Sequence, residues 1–133
     1  MDVSYILDDL NDAQRQAVTS ESKKLLVLAG AGSGKTKVLV HRIAWLIKAL
    51  SSSTHSILSV TFTNKAANEM TGRIEQILDQ PIPEMWCGTF HSISNRLLRR
   101  HYKEAGLEKD FSILDSDDQL RVIKRNLKEL DID

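Results

Sequence analysis

The sequence predicts an α/β fold in which helices flank a parallel sheet. Short segments of five or six residues that are typical of strands occur three times, and each is followed by a segment with helical periodicity. Strands that alternate with helices in this way form parallel sheets, because the helix carries the chain back across the sheet. With 133 residues, 41% of them apolar, the chain is about the size of one domain.

The first predicted strand covers residues 25–29, an apolar run between Lys24 and a glycine-rich loop. A continuous apolar run of this length is typical of a parallel strand that is buried on both faces. The helix after the loop is predicted from apolar residues at spacings of four, three and four, namely Leu39, Ile43, Leu46 and Leu50.

The same pattern recurs twice. Residues 57–62 predict a second strand, and residues 85–89 predict a third. The helical stripes that follow them are Ala67, Met70, Ile74 and Ile77, and then Phe90, Ile93, Leu97 and Tyr102. A last amphipathic helix is predicted from capping-box spacing at residues 116–119 and from a stripe behind it, Leu120, Ile123, Leu127 and Leu130.

The loop between the first strand and the first helix predicts a phosphate-binding site. Its glycines allow successive backbone N–H groups to point inward, and the helix N-terminus adds its positive dipole end. Lys35 is expected to reach the β and γ phosphates, and the Thr36 hydroxyl is expected to ligate Mg²⁺. The alternative is a glycine-rich turn with an incidental lysine. The residues in question are Ala29, Gly30, Ala31, Gly32, Ser33, Gly34, Lys35 and Thr36.

Charge is unevenly distributed, although 18 basic residues balance 18 acidic ones. Residues 23–48 and 85–103 contain basic but no acidic side chains, which indicates either an anion-facing surface or ordinary solvated helix faces. The single cysteine, Cys87, cannot form an internal disulfide, and residues 1–4 lack the basic and apolar run of a signal peptide. No apolar stretch reaches the ~20 residues that span a bilayer. These features favour a cytoplasmic protein without a membrane role.

Three segments resemble the motifs of superfamily 1 DNA helicases of the UvrD/Rep/PcrA family. They are residues 10–18, residues 61–70 and residues 88–93, and the resemblance extends over nearly the whole chain. It implies a P-loop NTPase of the RecA-like type, with residues 1–92 in domain 1A and residues 93–133 at the start of the helical domain 1B. It also implies ATP and Mg²⁺ as cofactors, 3′ to 5′ translocation on single-stranded DNA, and a role in excision and mismatch repair.

The same resemblance assigns roles to individual residues. It implies that Gln14 reads the edge of adenine, which suits an amide because it offers both a donor and an acceptor. Alternatively, Gln14 closes a capping box with Asn11 on the first helix.

DNA contact is implied for two segments, through Thr61, Phe62, Thr63, Asn64, Thr89 and His91. Phe62 could offer a ring for base stacking, while the polar residues meet the DNA backbone. The alternatives are that Phe62 lies in the core, that Thr63 or Asn64 caps a helix, and that His91 is an ordinary surface histidine.

The family's later motifs supply an Asp-Glu pair and further arginines for hydrolysis, and no Asp-Glu dipeptide occurs in this chain. The expectation is therefore an N-terminal fragment, inactive by itself, whose uncovered sheet edge favours self-association. Single-stranded DNA, DNA junctions and repair proteins are the expected partners of the full-length protein. Another P-loop enzyme, such as a kinase, and a nucleotide-dependent interaction module remain the alternatives.

Overall fold

A computed structural model describes residues 2–132, so Met1 and Asp133, the outer ends of the two predicted domains, lie outside the described residues. The backbone forms two compact units, Met1–Asn95 and Arg96–Asp133. The described residues contain five α-helices and two strands: α1 (Asp12–Thr19), α2 (Lys35–Lys48), β1 (Leu58–Thr61), α3 (Asn64–Leu78), β2 (Trp86–Thr89), α4 (Phe90–Arg100) and α5 (Ser116–Glu129). In this part of the chain, no helix is long and apolar enough to cross a membrane.

The two strands pair in parallel, as the sequence predicts. Leu58 lies opposite Trp86, and Thr61 lies opposite Thr89. Helix α3 provides the crossover between the strands, so both strands end at the same edge of the sheet. The chain is thus α/β with a small parallel sheet.

The core of the first unit lies between α2, α3 and the N-terminal segment. Helix α3 buries Ala67, Met70 and Ile74, as predicted, but its last buried residue is Leu78 rather than Ile77. Met70, Ile74 and Leu78 form one apolar cluster with residues of α2, of the short 3-10 helix Ser4–Ile6 and of the loop before β2. A second cluster joins Leu10 and Val18 to Val38.

The helix predicted after the loop is present as α2, but its predicted apolar stripe is wrong at Leu39, which is exposed, and at Leu50, which lies beyond the end of the helix. Ile43 is buried, whereas Leu39 and Leu50 are exposed and Leu46 is half-buried. Val38 packs in the cluster with Leu10 and Val18, while Val40, Ile43 and Ala44 pack with α3. Because α2 lies between two neighbours, its buried surface is wider than a single stripe and turned away from Leu39.

Residues 25–29 do not form the predicted strand. In the described chain the hydrogen-bonded sheet contains only β1 and β2, and residues 25–28 make no backbone hydrogen bond outside regular elements. The apolar side chains of this run are exposed rather than buried. An extended run becomes a strand only when a neighbouring strand pairs with its N–H and C=O groups, and none does so here.

Helix α5 dominates the second unit, and its start differs from the prediction by one residue. Asp115, not Ser116, is the N-cap, and its carboxylate accepts a hydrogen bond of 2.8 Å from the backbone N–H of Asp118. The predicted apolar stripe is present, but no residue of α5 is buried. Also in this unit, the guanidinium of Arg99 lies 3.9 Å from the centroid of the Phe111 ring.

Candidate functional site

The glycine-rich loop leads directly into α2. Gly32 and Gly34 adopt positive φ angles of 73° and 81°, a conformation that disfavours residues with a side chain. Gly34 is the N-cap of α2, so the unpaired N–H groups of the first helical turn face the loop. Ser33 stabilises the turn, because its hydroxyl donates a hydrogen bond to the carbonyl of Gly30 at 2.6 Å. Local backbone and helix dipole are therefore arranged as an anion site requires.

Lys35 and Thr36 occupy the first two positions of α2, and both are exposed. The Lys35 ammonium donates to the carbonyl of Ala29 at 3.0 Å, which holds this positive charge against the start of the loop. The Thr36 hydroxyl is an oxygen ligand of the kind that Mg²⁺ accepts. Among residues 2–132 no group of three or more His, Cys, Asp or Glu side chains could hold a metal ion. The Thr36 hydroxyl is thus an exposed oxygen at the start of α2, next to the loop.

Gln14 engages the loop and the helix cap at the same time. Its side-chain oxygen accepts from the backbone N–H of Asn11 at 3.0 Å, and the Asn11 side chain accepts from the backbone N–H of Gln14 at 2.9 Å. The capping box is therefore real. The amide nitrogen of Gln14 also donates to the carbonyl of Ser33 at 3.3 Å.

The cap and the contact with Ser33 together do not exhaust the hydrogen-bonding capacity of Gln14. A primary amide has two N–H donors and an oxygen with two lone pairs, so one donor and one lone pair stay available. That is the pair of groups that an adenine edge requires. The two alternatives for Gln14 are therefore compatible rather than exclusive.

A hollow of about 350 Å³ lies beside these groups. Residues of α1, of the 27–30 segment and of the loop line it, including Gln14, Gly30 and Lys35. The structure thus brings Gln14 and four of the predicted phosphate-binding residues to one concavity, which Ala31, Gly32, Gly34 and Thr36 do not line; the four are Ala29, Gly30, Ser33 and Lys35.

A second group of predicted residues meets at the carboxyl end of the sheet. The chain leaves β1 at Phe62 and Thr63 and enters α3, and it passes from β2 directly into α4 at Phe90. Phe62 is 92% exposed, so it is not a core residue. Its ring lies 5.6 Å from that of Phe90 at an interplanar angle of 48°. Two aromatic rings therefore stand in solvent where the two strands end.

Threonines cap the two helices that begin at this edge. Thr63 accepts a hydrogen bond from the backbone N–H of Ala66 at 3.1 Å, which confirms its alternative as an N-cap, and Asn64 is the first residue of α3. Thr89 accepts from the backbone N–H of Ser92, also at 3.1 Å. Because the helices begin on adjacent parallel strands, their N-termini lie at the same edge of the sheet.

Thr61 is placed differently from the other predicted DNA contacts. It is buried, and its hydroxyl lies 3.0 Å from the carbonyl oxygen of Thr63 and 3.4 Å from that of Gly88. The side chain points into the protein because it satisfies backbone carbonyls between the two strand ends. A direct contact between the Thr61 side chain and DNA is thus disfavoured.

His91 follows Phe90 in the first turn of α4 and is exposed. The basic residues beyond it are already engaged in part, since Arg99 stacks on Phe111 and both Arg96 and Arg100 have interaction partners. Sequence reasoning missed Phe90, which it assigned to an apolar helix stripe. A usable signal existed, because Phe90 occupies the position after β2 that Phe62 occupies after β1.

Comparison with known proteins gives a consistent result. The UvrD/REP helicase N-terminal domain matches residues 10–133. DNA helicase II of Escherichia coli is 59% identical over 133 residues, and that of Salmonella typhimurium is 57% identical over the same length. The ATP-dependent DNA helicase PcrA of Bacillus subtilis is 49% identical over 130 residues, or 98% of this chain. The chain spans 18% of the length of each of these relatives.

Proposed function

The chain belongs to the UvrD/REP helicase N-terminal domain family, and we propose that it is the ATP-binding N-terminal portion of an ATP-dependent DNA helicase. One observation carries this proposal. The glycine loop, the exposed Lys35 at the start of α2, and Gln14 all border one hollow. Relatives that align over the whole chain are named DNA helicases.

In this proposal the loop residues Ala29, Gly30, Ala31, Gly32, Ser33 and Gly34 bind the triphosphate through backbone N–H groups. Lys35 exchanges the carbonyl of Ala29 for the β and γ phosphates, where its charge stabilises the transition state. Bound Mg²⁺ would neutralise charge on the same oxygens, with the Thr36 hydroxyl among its ligands. Lys35 and Thr36 are therefore the residues to which we assign catalytic roles.

Gln14 reads the base through the donor and the lone pair that its capping box leaves unused. The contact with Ser33 supports this role, because it holds the amide beside the phosphate loop. Adenine presents a complementary acceptor and donor on one edge, so ATP would be preferred over a triphosphate whose base presents the reverse pattern.

DNA binding is assigned to the carboxyl edge of the sheet. Phe62 would stack on a base of single-stranded DNA, and the exposed Asn64 and His91 would meet its backbone. Thr63 and Thr89 contribute by capping the helices whose N-termini face the phosphates. Thr61 belongs to this edge as a buried support.

The wider proposals follow from the family. We assign residues 1–92 to a RecA-like domain 1A and residues 93–133 to the start of helical domain 1B. The complete helicase would translocate 3′ to 5′ along single-stranded DNA in the cytoplasm, act at DNA junctions, and serve excision and mismatch repair with other repair proteins. The uncovered run at residues 25–28 supports self-association of this chain when it is alone.

ATP turnover by the complete helicase, with and without single-stranded DNA, tests the proposal. DNA should stimulate turnover, and Lys35→Ala should remove it. A kinase built on the same loop would need a phosphoryl acceptor instead of DNA, and an interaction module would turn over no ATP. Either result would replace the helicase assignment.

A further inference from the structure

Helix α2 contacts the N-terminal segment through three basic side chains. Each meets a backbone carbonyl: Lys37 donates to Asp9 at 2.6 Å, His41 lies 2.5 Å from the oxygen of Ile6, and Arg42 donates to Val18 at 2.6 Å. Two of these carbonyls precede α1 and the third lies in its last turn. The short helix that carries Gln14 is thus held on both sides by the helix that begins at the phosphate loop.

Arg42 places a positive charge at the C-terminal end of α1, which has no basic residue of its own there. The last carbonyls of a helix have no partner within the helix, and they form the negative end of its dipole. Helix α1 has no basic residue in its own last turn. Arg42 supplies a charged donor from α2 to the carbonyl of Val18, and this donor is partly buried, so solvent competes poorly for it.

His41 holds the segment that precedes α1. It is buried, and because a carbonyl can only accept, its Nδ1 must carry the hydrogen that is shared with Ile6. Ile6 itself is fully buried in the core beneath α2. The chain that enters α1 is therefore anchored at a defined place on α2.

The position of Gln14 depends on these anchors. Helix α1 has only eight residues, too few to be stable without tertiary contacts. The Gln14 amide must nevertheless lie beside the loop closely enough to meet Ser33 at 3.3 Å, and a side chain at Gly34 would lie only 2.9 Å from it. Small shifts of α1 along α2 would break this arrangement.

We infer that Arg42 and His41 are positioning residues for base recognition, which set the distance between Gln14 and the phosphate loop. The inference rests on the proposed function of Gln14. It predicts that loosening α1 reduces discrimination between bases while binding of the phosphates persists, because the Ser33–Gly30 hydrogen bond and the contact of Lys35 with Ala29 do not involve α1.

The test measures the affinities of the complete helicase for ATP, GTP and inorganic tripolyphosphate. Arg42→Met removes the charge and the donors but keeps most of the apolar stem, and Arg42→Lys keeps a charged donor. We expect Arg42→Met to reduce the preference for ATP over GTP by about tenfold, the effect of displacing one hydrogen-bonding partner. Tripolyphosphate affinity should not change, and Arg42→Lys should restore much of the preference. Arg73→Met, an exposed arginine on α3, is the matched control.

Two results would overturn the inference: an unchanged ATP preference in Arg42→Met, or equal losses for all three ligands. If Arg42→Met does not fold, Arg42→Gln and Arg42→Lys decide the question by the same ratio. Gln14→Ala separates this inference from the function on which it rests. If Gln14→Ala loses the preference for ATP over GTP but the Arg42 variants keep it, Gln14 reads the base and Arg42 does not position it. If Gln14→Ala keeps the preference, Gln14 does not read the base.

Discussion

Replacing Phe62 by alanine should separate a DNA-binding side chain from a structural one. Truncating a buried phenylalanine usually costs ~3–5 kcal/mol of unfolding free energy. Phe62 is 92% exposed, and the tilted ring pair with Phe90 is its one aromatic contact among the described residues. Such a pair contributes ~0.5–1.5 kcal/mol, so the loss of stability should not exceed about 1.5 kcal/mol.

The effect on DNA should be larger. Stacking of a base on an aromatic side chain is worth ~1–3 kcal/mol, which corresponds to a roughly five- to 150-fold loss of affinity. Denaturant unfolding of the 133-residue chain gives the first quantity, and fluorescence anisotropy of the complete helicase with labelled single-stranded DNA gives the second. Salt must be held constant, because backbone contacts make DNA affinity depend on it.

Two control variants show how much unfolding free energy is lost when an exposed or a buried apolar side chain is truncated. Leu50→Ala removes another exposed apolar side chain and should leave DNA affinity unchanged. Ile74→Ala removes a fully buried one and should cost ~2–5 kcal/mol. If Phe62→Ala destabilises the chain as much as Ile74→Ala does while DNA binds normally, Phe62 is a packing residue and the DNA assignment of this edge loses its main support.

Four further outcomes are expected. Lys35→Ala should abolish ATP turnover without lowering the unfolding midpoint, because the ammonium is exposed and donates to a carbonyl of the loop rather than to the core; residual turnover near the wild-type rate would contradict this. Gln14→Glu keeps the capping acceptor but loses the amide donor, so helix content by circular dichroism should persist while the preference for ATP over GTP falls. The 133-residue chain alone should release no phosphate above background with or without DNA, since an arginine from elsewhere can be worth ~10³–10⁵ in rate. Replacing Leu26 and Leu28 by lysine should reduce its self-association in sedimentation, and unchanged association would exclude this run as the contact.

Features set by neighbouring residues in the chain could be predicted from the sequence. The capping box of Asn11 and Gln14 depends on spacing alone, and it forms. Two of the three loop glycines, Gly32 and Gly34, adopt positive φ angles, and β1, α3 and β2 occur where periodicity indicates them. The capping box, the loop turn and α3 depend on contacts within a few residues, which sequence spacing encodes directly, whereas β1 and β2 also need to pair with each other.

Features set by distant contacts could not be predicted in the same way. The buried face of α2 depends on its position between α1 and α3, and no spacing within α2 records two neighbours. For a similar reason, the sequence does not decide between base reading and helix capping for Gln14. Its capping contact is local, whereas its contact with Ser33 crosses 19 residues and depends on how α1 lies on α2.

The exposure of aromatic side chains at the carboxyl edge of the sheet could not be predicted from composition either. Phenylalanine is usually buried, and only the geometry of a parallel sheet indicates that residues following two paired strands emerge together. Phe62 and Phe90 do so, while Thr61 and Thr89 at the strand ends turn their hydroxyls to the backbone or to the helix cap. Position relative to the strand end, rather than residue type, therefore decides that the Phe62 ring is exposed and that the Thr61 side chain is buried.

Residues 25–28 show why an apolar run can have the side-chain pattern of a strand without being one. Leu26 and Leu28 are 81% and 85% exposed, whereas Leu25 and Val27 are 47% and 41% exposed, so exposure alternates with the period of two that an extended backbone produces. The less exposed pair lines a hollow shared with Ala17, Val38 and Leu39, and thus one face of the run already lies against α1 and α2. The opposite face and the backbone hydrogen-bonding groups have no partner among the described residues. The run therefore shows the side-chain alternation of a strand without its burial or its hydrogen bonds, and pairing with a further strand is the step that would supply them.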